Sequence, residues 1–221
     1  MSCCRTCNAG VGATVAELVR AIEAADSKGA MVVAVNNLAA AQDVAAIPSL
    51  ITVLGYNNPG AAVAAVNGLA ALGSAAVPAL LEQIDGYNYG ARAWAIRALA
   101  LIGDPRALPV LLETAKGDFA LSVRRAAARG LGTIHWALLP PDQAAIAQSD
   151  VLEVLTQATA DPEWVVRYAA VAGLQILATN LVEPDHQKLL ILASLHRIFE
   201  QDETPAVQAR ARLALDTLAR H

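Results

Sequence analysis

The chain has 221 residues, 56% hydrophobic, 16% charged and 4% aromatic, a balance that excludes a disordered polymer. Its apolar excess is mostly alanine, 49 residues; alanine has the highest helix propensity, so the expected class is all-α and strand-rich folds are disfavoured. The formal charge of −4 gives no general pull toward nucleic acid, and no apolar run reaches the roughly eighteen residues a membrane span needs without meeting a charge, Asn, Gly or Pro.

Residues 1–12 carry all three cysteines, Cys3, Cys4 and Cys7, and lack the apolar stretch of a secretory signal. With no later thiol there is no disulfide framework, which fits a reducing, cytoplasmic compartment. Cys4-Arg-Thr-Cys7 has the spacing of half a zinc site or a redox pair. A structural zinc takes four ligands, however, and no second cysteine pair follows; His135, His186, His196 and His221 lack ligand spacing. No metal is expected, and residues 1–12 are read as a flexible tail ahead of one repeat domain over 13–221.

Internal repeats organise the rest. Gly55, Gly86 and Gly117 recur every 31 residues, Pro48, Pro78 and Pro109 at 30 and 31, and Gly73 and Gly103 at 30. Each unit reads as a proline-started helix, a Gly-containing turn and an Ala-rich second helix. The first pair, cruder, is expected over Val15 to Ala25 and Met31 to Ala41. Later units keep the grammar in Asp150-Val-Leu-Glu153, Asp161-Pro162 and Val166-Arg167-Tyr-Ala-Ala, and the last pair begins near Gln187. Val123, Ala127, Leu131 and Ile134 fall at helical spacing, so neighbouring pairs share a buried seam. The expected architecture is an all-α, crescent-shaped, HEAT-like α-solenoid of about six helical pairs. Two connections are longer than the repeat requires: Trp136 to Ser149, with Pro140-Pro141, and Ala178 to Gln187, with Pro184.

Candidate chemistry gathers in the middle. From Tyr87 to Trp136 seven basic residues face three acidic ones, a local charge of +4, whereas from Ala137 to His221 six face eleven. Arg92, Arg124 and Arg167 share one repeat column and Arg97 and Arg129 another, so their side chains line one face of successive second helices. Such arginines either bridge adjacent repeats or clamp a carboxylate; bridging is favoured for the Arg92 column. Arg125 and Arg129, four residues apart with no acid at helical spacing, are better anion-site candidates. Seven of the nine aromatic residues flank this island: Tyr87, Tyr89, Trp94, Phe119, Trp136, Trp164 and Tyr168. A flat, acidic ligand wants both stacking faces and arginines. Gap-filling between Ala-rich helices accounts for Phe119 and competes evenly for Trp94 and Trp136. Tyr87-Asn88-Tyr89-Gly90 opens a second helix and places two phenols and an amide at a turn. His135 is a candidate proton donor, although a lone histidine is more often structural. G-x-S-x-G, phosphate-loop and H-E-x-x-H signatures are missing.

Gly86-Tyr-Asn-Tyr-Gly-Ala-Arg-Ala-Trp-Ala-Ile-Arg-Ala-Leu-Ala100, Ile102-Gly-Asp-Pro-Arg-Ala-Leu108, Ser122-Val-Arg-Arg-Ala-Ala-Ala-Arg-Gly-Leu-Gly132 and Gly55-Tyr-Asn-Asn-Pro-Gly60 together resemble the E/F-type phycobilin lyase family, and with the total length its smaller, F-type subunits. The resemblance implies a heterodimer with an E-type subunit. It also implies an activity, attachment of phycocyanobilin to a cysteine of the phycocyanin α subunit, with the bilin as bound substrate and no prosthetic group. A bilin offers two propionates to arginines and a conjugated plane to aromatic rings. The residues expected to border it are Tyr87, Asn88, Tyr89, Arg92, Trp94, Arg97, Arg125, Arg129 and Trp136, with Tyr89 or His135 as proton donor. Isomerising relatives carry a His-Cys motif inside the fold; this chain has no cysteine after Cys7, so simple ligation is expected. The alternative is a non-catalytic HEAT scaffold that holds phycobiliproteins for assembly, chromophore removal or degradation. Replacing Cys3, Cys4 and Cys7 together with serine is expected to leave ligation intact. An activity loss in folded protein, measured as covalent colour on the acceptor, overturns that expectation.

Overall fold

Prolines and short polar caps set where the helices start. Thr14 forms a capping box with Glu17, and Ser27 and Asn58 accept from backbone N–H groups of the helices they precede, while Pro48, Pro59, Pro141 and Pro205 stand in first turns, where a missing N–H removes no helical hydrogen bond. The computed structural model describes residues 13–84, 89–182 and 184–220, without the side chains of 89, 184 and 185. The cysteine-bearing segment 1–12, Tyr87 and Asn88 lie outside the described residues.

Twelve α-helices are described, in six antiparallel pairs: α1 Val15–Glu23 with α2 Lys28–Ala40, α3 Ile47–Leu54 with α4 Pro59–Leu72, α5 Val77–Ile84 with α6 Tyr89–Ile102, α7 Leu108–Gly117 with α8 Leu121–Leu131, α9 Pro141–Ala158 with α10 Trp164–Ala178, and α11 Pro184–Gln201 with α12 Pro205–Leu218. Among the described residues there is no strand, and no single helix is long and apolar enough to cross a membrane. Both connections expected to be long are shorter than expected, although 132–140 remains the longest between pairs. Pro140 is extended, but Pro141 opens α9, so residues 141–149 are helix. In the same way α11 starts at Pro184 rather than near Gln187. A proline that reads as a loop signal is equally a helix-start signal, and here the second role applies.

The second helices α2, α4, α6, α8, α10 and α12 pack in chain order against one another, and each also packs on its own first helix. Their mutual approach is backbone-close. A Cβ on Gly68 would lie 2.6 Å from the Ala39 Cβ, one on Gly130 2.6 Å from the Ala100 Cβ, and one on Gly173 2.5 Å from the Ala128 carbonyl oxygen. Successive first helices pack less closely on one another than successive second helices do, and their leucines, Leu50 and Leu111 among them, point onto the second helix of their own pair. The tighter layer spans the shorter arc, so the stack curves with the second helices on the inner side.

One edge of this layer is tied by a ladder of ion pairs. Arg124 Nε and Nη2 donate to Asp161 at 2.8 and 3.1 Å, and Arg167 Nε and Nη2 donate to Asp202 at 2.8 and 3.1 Å. Arg92 makes the corresponding pair with Asp118. Each aspartate also accepts from the N–H two residues on, Ala120, Glu163 or Thr204, just before a second helix. Arg124 and Arg167 donate in addition to carbonyls of their own turn, Asp118 and Phe119, and Asp161 and Pro162. Each arginine thus fastens its own turn to the next repeat. Gln208, at the equivalent place in α12, keeps only the own-turn bond, to the Asp202 carbonyl at 2.7 Å.

Burial pushes the Asp161 and Asp202 carboxyls up, but the arginine partners, the turn N–H groups and nearby charge outweigh it, leaving both below the usual carboxylate range. A depressed folded pKa contributes stability that is present above about pH 4 and lost as pH falls through the folded value. Asp161→Asn is therefore expected to flatten acid unfolding below about pH 4. It should also cost about 3 kcal/mol at neutral pH by stranding the half-buried Arg124. Denaturant titrations at several pH values check both, and an unchanged acid limb overturns the ladder's role.

Candidate functional site

Each inner second helix, α4 to α10, turns one flank to its own first helix and two to its neighbours, leaving one free face along the inner layer; α12, at the end of the stack, has a single second-helix neighbour, α10. On α6 that face presents the half-buried Trp94 and the exposed Arg97, whose guanidinium carbon lies 5.5 Å from the Trp94 ring centroid. On α8 it presents Arg125 and Arg129, both exposed. Trp164 and Tyr168 follow on α10, 46% and 38% exposed, which leaves two large rings open to solvent in a chain poor in aromatics. On α12 the half-buried Arg210 lies over Tyr168, 6.0 Å from its centroid.

Helices α6, α8 and α10 contain no Asp or Glu, and Asp216 of α12 is engaged by Arg212 at 3.0 Å. The cations of this face therefore have few local counter-charges. The most constrained is Arg210: burial lowers its pKa, the Tyr168 hydroxyl acts to raise it, and the positive charge of Arg129 lowers it again. Its Nη1 is buried with no hydrogen-bond partner.

The expected site residues do not all come together. Trp94, Arg97, Arg125 and Arg129 share the free face. Arg92 is held by Asp118, with Phe119 beside its guanidinium at 5.6 Å, at the edge tied by the ladder. Tyr89 is the first residue of α6; Tyr87, Asn88 and the Tyr89 side chain lie outside the described residues. His135 and Trp136 sit at the opposite edge, beyond the end of α8, where the His135 N–H donates to the Gly103 carbonyl at 2.8 Å. The rise of a 14-residue helix separates the two edges by roughly 20 Å. The start of α6, where Tyr89 stands, and the turn that carries His135 therefore lie at opposite edges of the layer.

His135 and Trp136 instead border a largely apolar, open cavity of about 710 Å³, walled also by Leu139, Pro141, Ala144 and Val182. Trp136 is 6% exposed and its indole N–H has no hydrogen-bond partner. The fully buried Gln148 holds the far wall, donating to the Asn180 carbonyl at 2.7 Å and accepting from the Val182 N–H at 2.9 Å. Sequence reasoning left Trp164, Tyr168 and Arg210 out of the site. Tyr168 was within reach, because it follows the ladder residue Arg167 as Arg125 follows Arg124.

The HEAT-repeat family profile matches residues 47–132 and 77–175. A phycobilisome maturation protein of Synechococcus elongatus is 53% identical over 204 residues, 92% of this chain and 97% of that protein. The phycocyanin alpha phycocyanobilin lyase CpcF of Synechocystis sp. is 49% identical over 211 residues, 96% of this chain and 97% of that protein. A chain in the solved complex of CpcE and CpcF of phycocyanin lyase from Nostoc sp. superposes with a TM-score of 0.72 at 52% identity, covering 78% of this chain and 99% of that one.

The chain belongs to the CpcF family of HEAT-repeat proteins. Within this CpcF-type fold the cation on the Trp94 ring is solvent-exposed, and exposed cation–π contacts contribute only about 0.5–1 kcal/mol. Arg97→Gln is therefore expected to shift thermal unfolding by no more than a few degrees. A larger loss would make Arg97 a framework residue.

Proposed function

We propose that this chain is the F-type half of a phycocyanobilin lyase, which with an E-type subunit joins phycocyanobilin to a cysteine of the phycocyanin α subunit. The observation that carries the reading is 49% identity over 96% of the chain to the phycocyanin alpha phycocyanobilin lyase CpcF. It is supported by an inner face that combines aromatic rings with arginines on helices free of acids.

The reaction adds the acceptor thiolate to the ethylidene carbon of ring A. A C–S bond forms, the exocyclic double bond is consumed, and a proton is delivered to the conjugated system. No atom leaves, so no nucleophile from this chain is required. What the subunit supplies is confinement: a flexible tetrapyrrole held in one conformation loses its entropy before the chemical step and meets the correct thiol. Arg97 and Arg129 pair with propionates, Trp94 offers a ring face, and Arg125 adds positive charge beside Arg129. Proton delivery falls to Tyr89 or to His135, each serving one edge of the layer. The reaction takes place in the cytoplasm, where the acceptor thiol stays reduced.

A second reading, a scaffold that matures phycobiliproteins without ligating them, is favoured by the 53%-identical phycobilisome maturation protein. Co-expression with an E-type subunit, phycocyanobilin and apo-phycocyanin α separates the two, because only a lyase leaves colour on the acceptor after denaturation. In purified heterodimers Arg97→Gln and Arg129→Gln are each expected to weaken bilin binding about 10- to 150-fold, the equivalent of a charged hydrogen bond of roughly 1.5–3 kcal/mol. Unchanged affinity in both folded variants removes the propionate assignment.

A further inference from the structure

Arg129 belongs to α8 and Arg210 to α12, with α10 between them. At ordinary interaxial distances of about 8–10 Å those two helices are roughly 16–20 Å apart, and Arg210 reaches back over α10 to the ring of Tyr168. The positive charge of Arg129 is nevertheless felt at Arg210. Beneath Arg210 is the face of Tyr168, 6.0 Å from guanidinium carbon to ring centroid.

A half-buried guanidinium whose buried N–H meets no acceptor is an arrangement a folded chain does not make for its own stability. The other buried arginine of this layer is treated quite differently: Arg167, 7% exposed, is paired with Asp202 and bonded to Thr204 and two backbone carbonyls. Arg210 has no ion pair among the described residues, and its Nη1 is buried without a hydrogen-bond partner. A planar fork with an unmet N–H and a ring below, on a face that also carries Arg129, are the elements of a carboxylate site.

We infer that Arg210, with Arg129 across α10 and Tyr168 beneath it, forms a carboxylate subsite that receives one propionate of the bilin. The inference rests on the lyase reading and extends it from α6 and α8 to the far end of the inner face. Arg210 is a binding residue in this assignment, and Tyr168 holds its guanidinium in place while offering a ring to the tetrapyrrole. Arg129 is shared between Arg97 on one side and Arg210 on the other, which lets the two propionates lie along one line of second helices.

The test uses purified heterodimers with the E-type subunit, titrated with phycocyanobilin and, separately, with its dimethyl ester, whose propionates carry no charge. The wild-type heterodimer is expected to bind the free acid at least tenfold more tightly than the ester. In Arg210→Gln the free acid should lose about tenfold or more while the ester is unaffected, so that the preference shrinks. Arg210→Lys keeps the charge without the fork and should retain part of the preference; it decides the matter should Arg210→Gln fail to fold. An equal free-acid preference in wild type and either folded variant, with ligation intact, overturns the subsite and leaves the lyase reading standing. Loss of heterodimer assembly in Arg210→Gln, with no change in ester discrimination, would give the site to an acidic side chain of the partner and overturns it as well. A wild-type heterodimer that neither binds bilin nor ligates it removes both.

Discussion

Contact between second helices at glycine and alanine governs the rest of the structure. Gly68 on Ala39, Gly130 on Ala100 and Gly173 on the Ala128 carbonyl bring successive helices together with no side chain between them. That tightness curves the stack and limits the inner layer to small residues on its flanks. Charged groups are left the free face and the ladder edge. The high alanine content is therefore a geometric requirement of the layer as much as a source of helix propensity.

On that layer the arginines divide by the side of the helix they occupy. Those on the ladder edge meet an aspartate from the next repeat, a backbone carbonyl of their own turn, or both, as Arg124 and Arg167 do. They are framework. Arginines on the other side, Arg125 directly after Arg124 among them, reach the free face, where α6, α8 and α10 offer no acid. One residue type thus performs two tasks, decided by the direction in which the helix presents it. Substitution in the first group acts on the fold, and in the second on whatever occupies the face.

The six pairs were legible because prolines, glycines and the V-R-x-x-A-A pattern recur at a period the repeat cannot hide. The role of Arg124 and Arg167 was legible for the same reason. Pro140-Pro141 was not, since a double proline marks a loop and a helix start equally, and only the extended Pro140 followed by helical Pro141 decides between them. Arg210 was hidden by the repeat logic itself. Its equivalents in α8 and α10 are Ala126 and Ala169, so no column of arginines points to it. The wide separation of Tyr89 from His135 was implicit in the order of helices within a repeat, but it emerges only when both are placed on α6 and the turn after α8.

Backbone contact between the second helices also makes the inner face stiff. Long side chains between helices act as compliant spacers that can change rotamer and let a solenoid breathe; glycine against alanine has no such slack. The interval between arginines on neighbouring helices is then a fixed pitch, like the marks on a ruler. A tetrapyrrole free in solution samples many twists about its methine bridges, and the proposed site would accept only those whose acidic groups match the pitch. For the proposed bilin site, selection of bilin shape would in that sense be built into the glycine and alanine contacts between second helices.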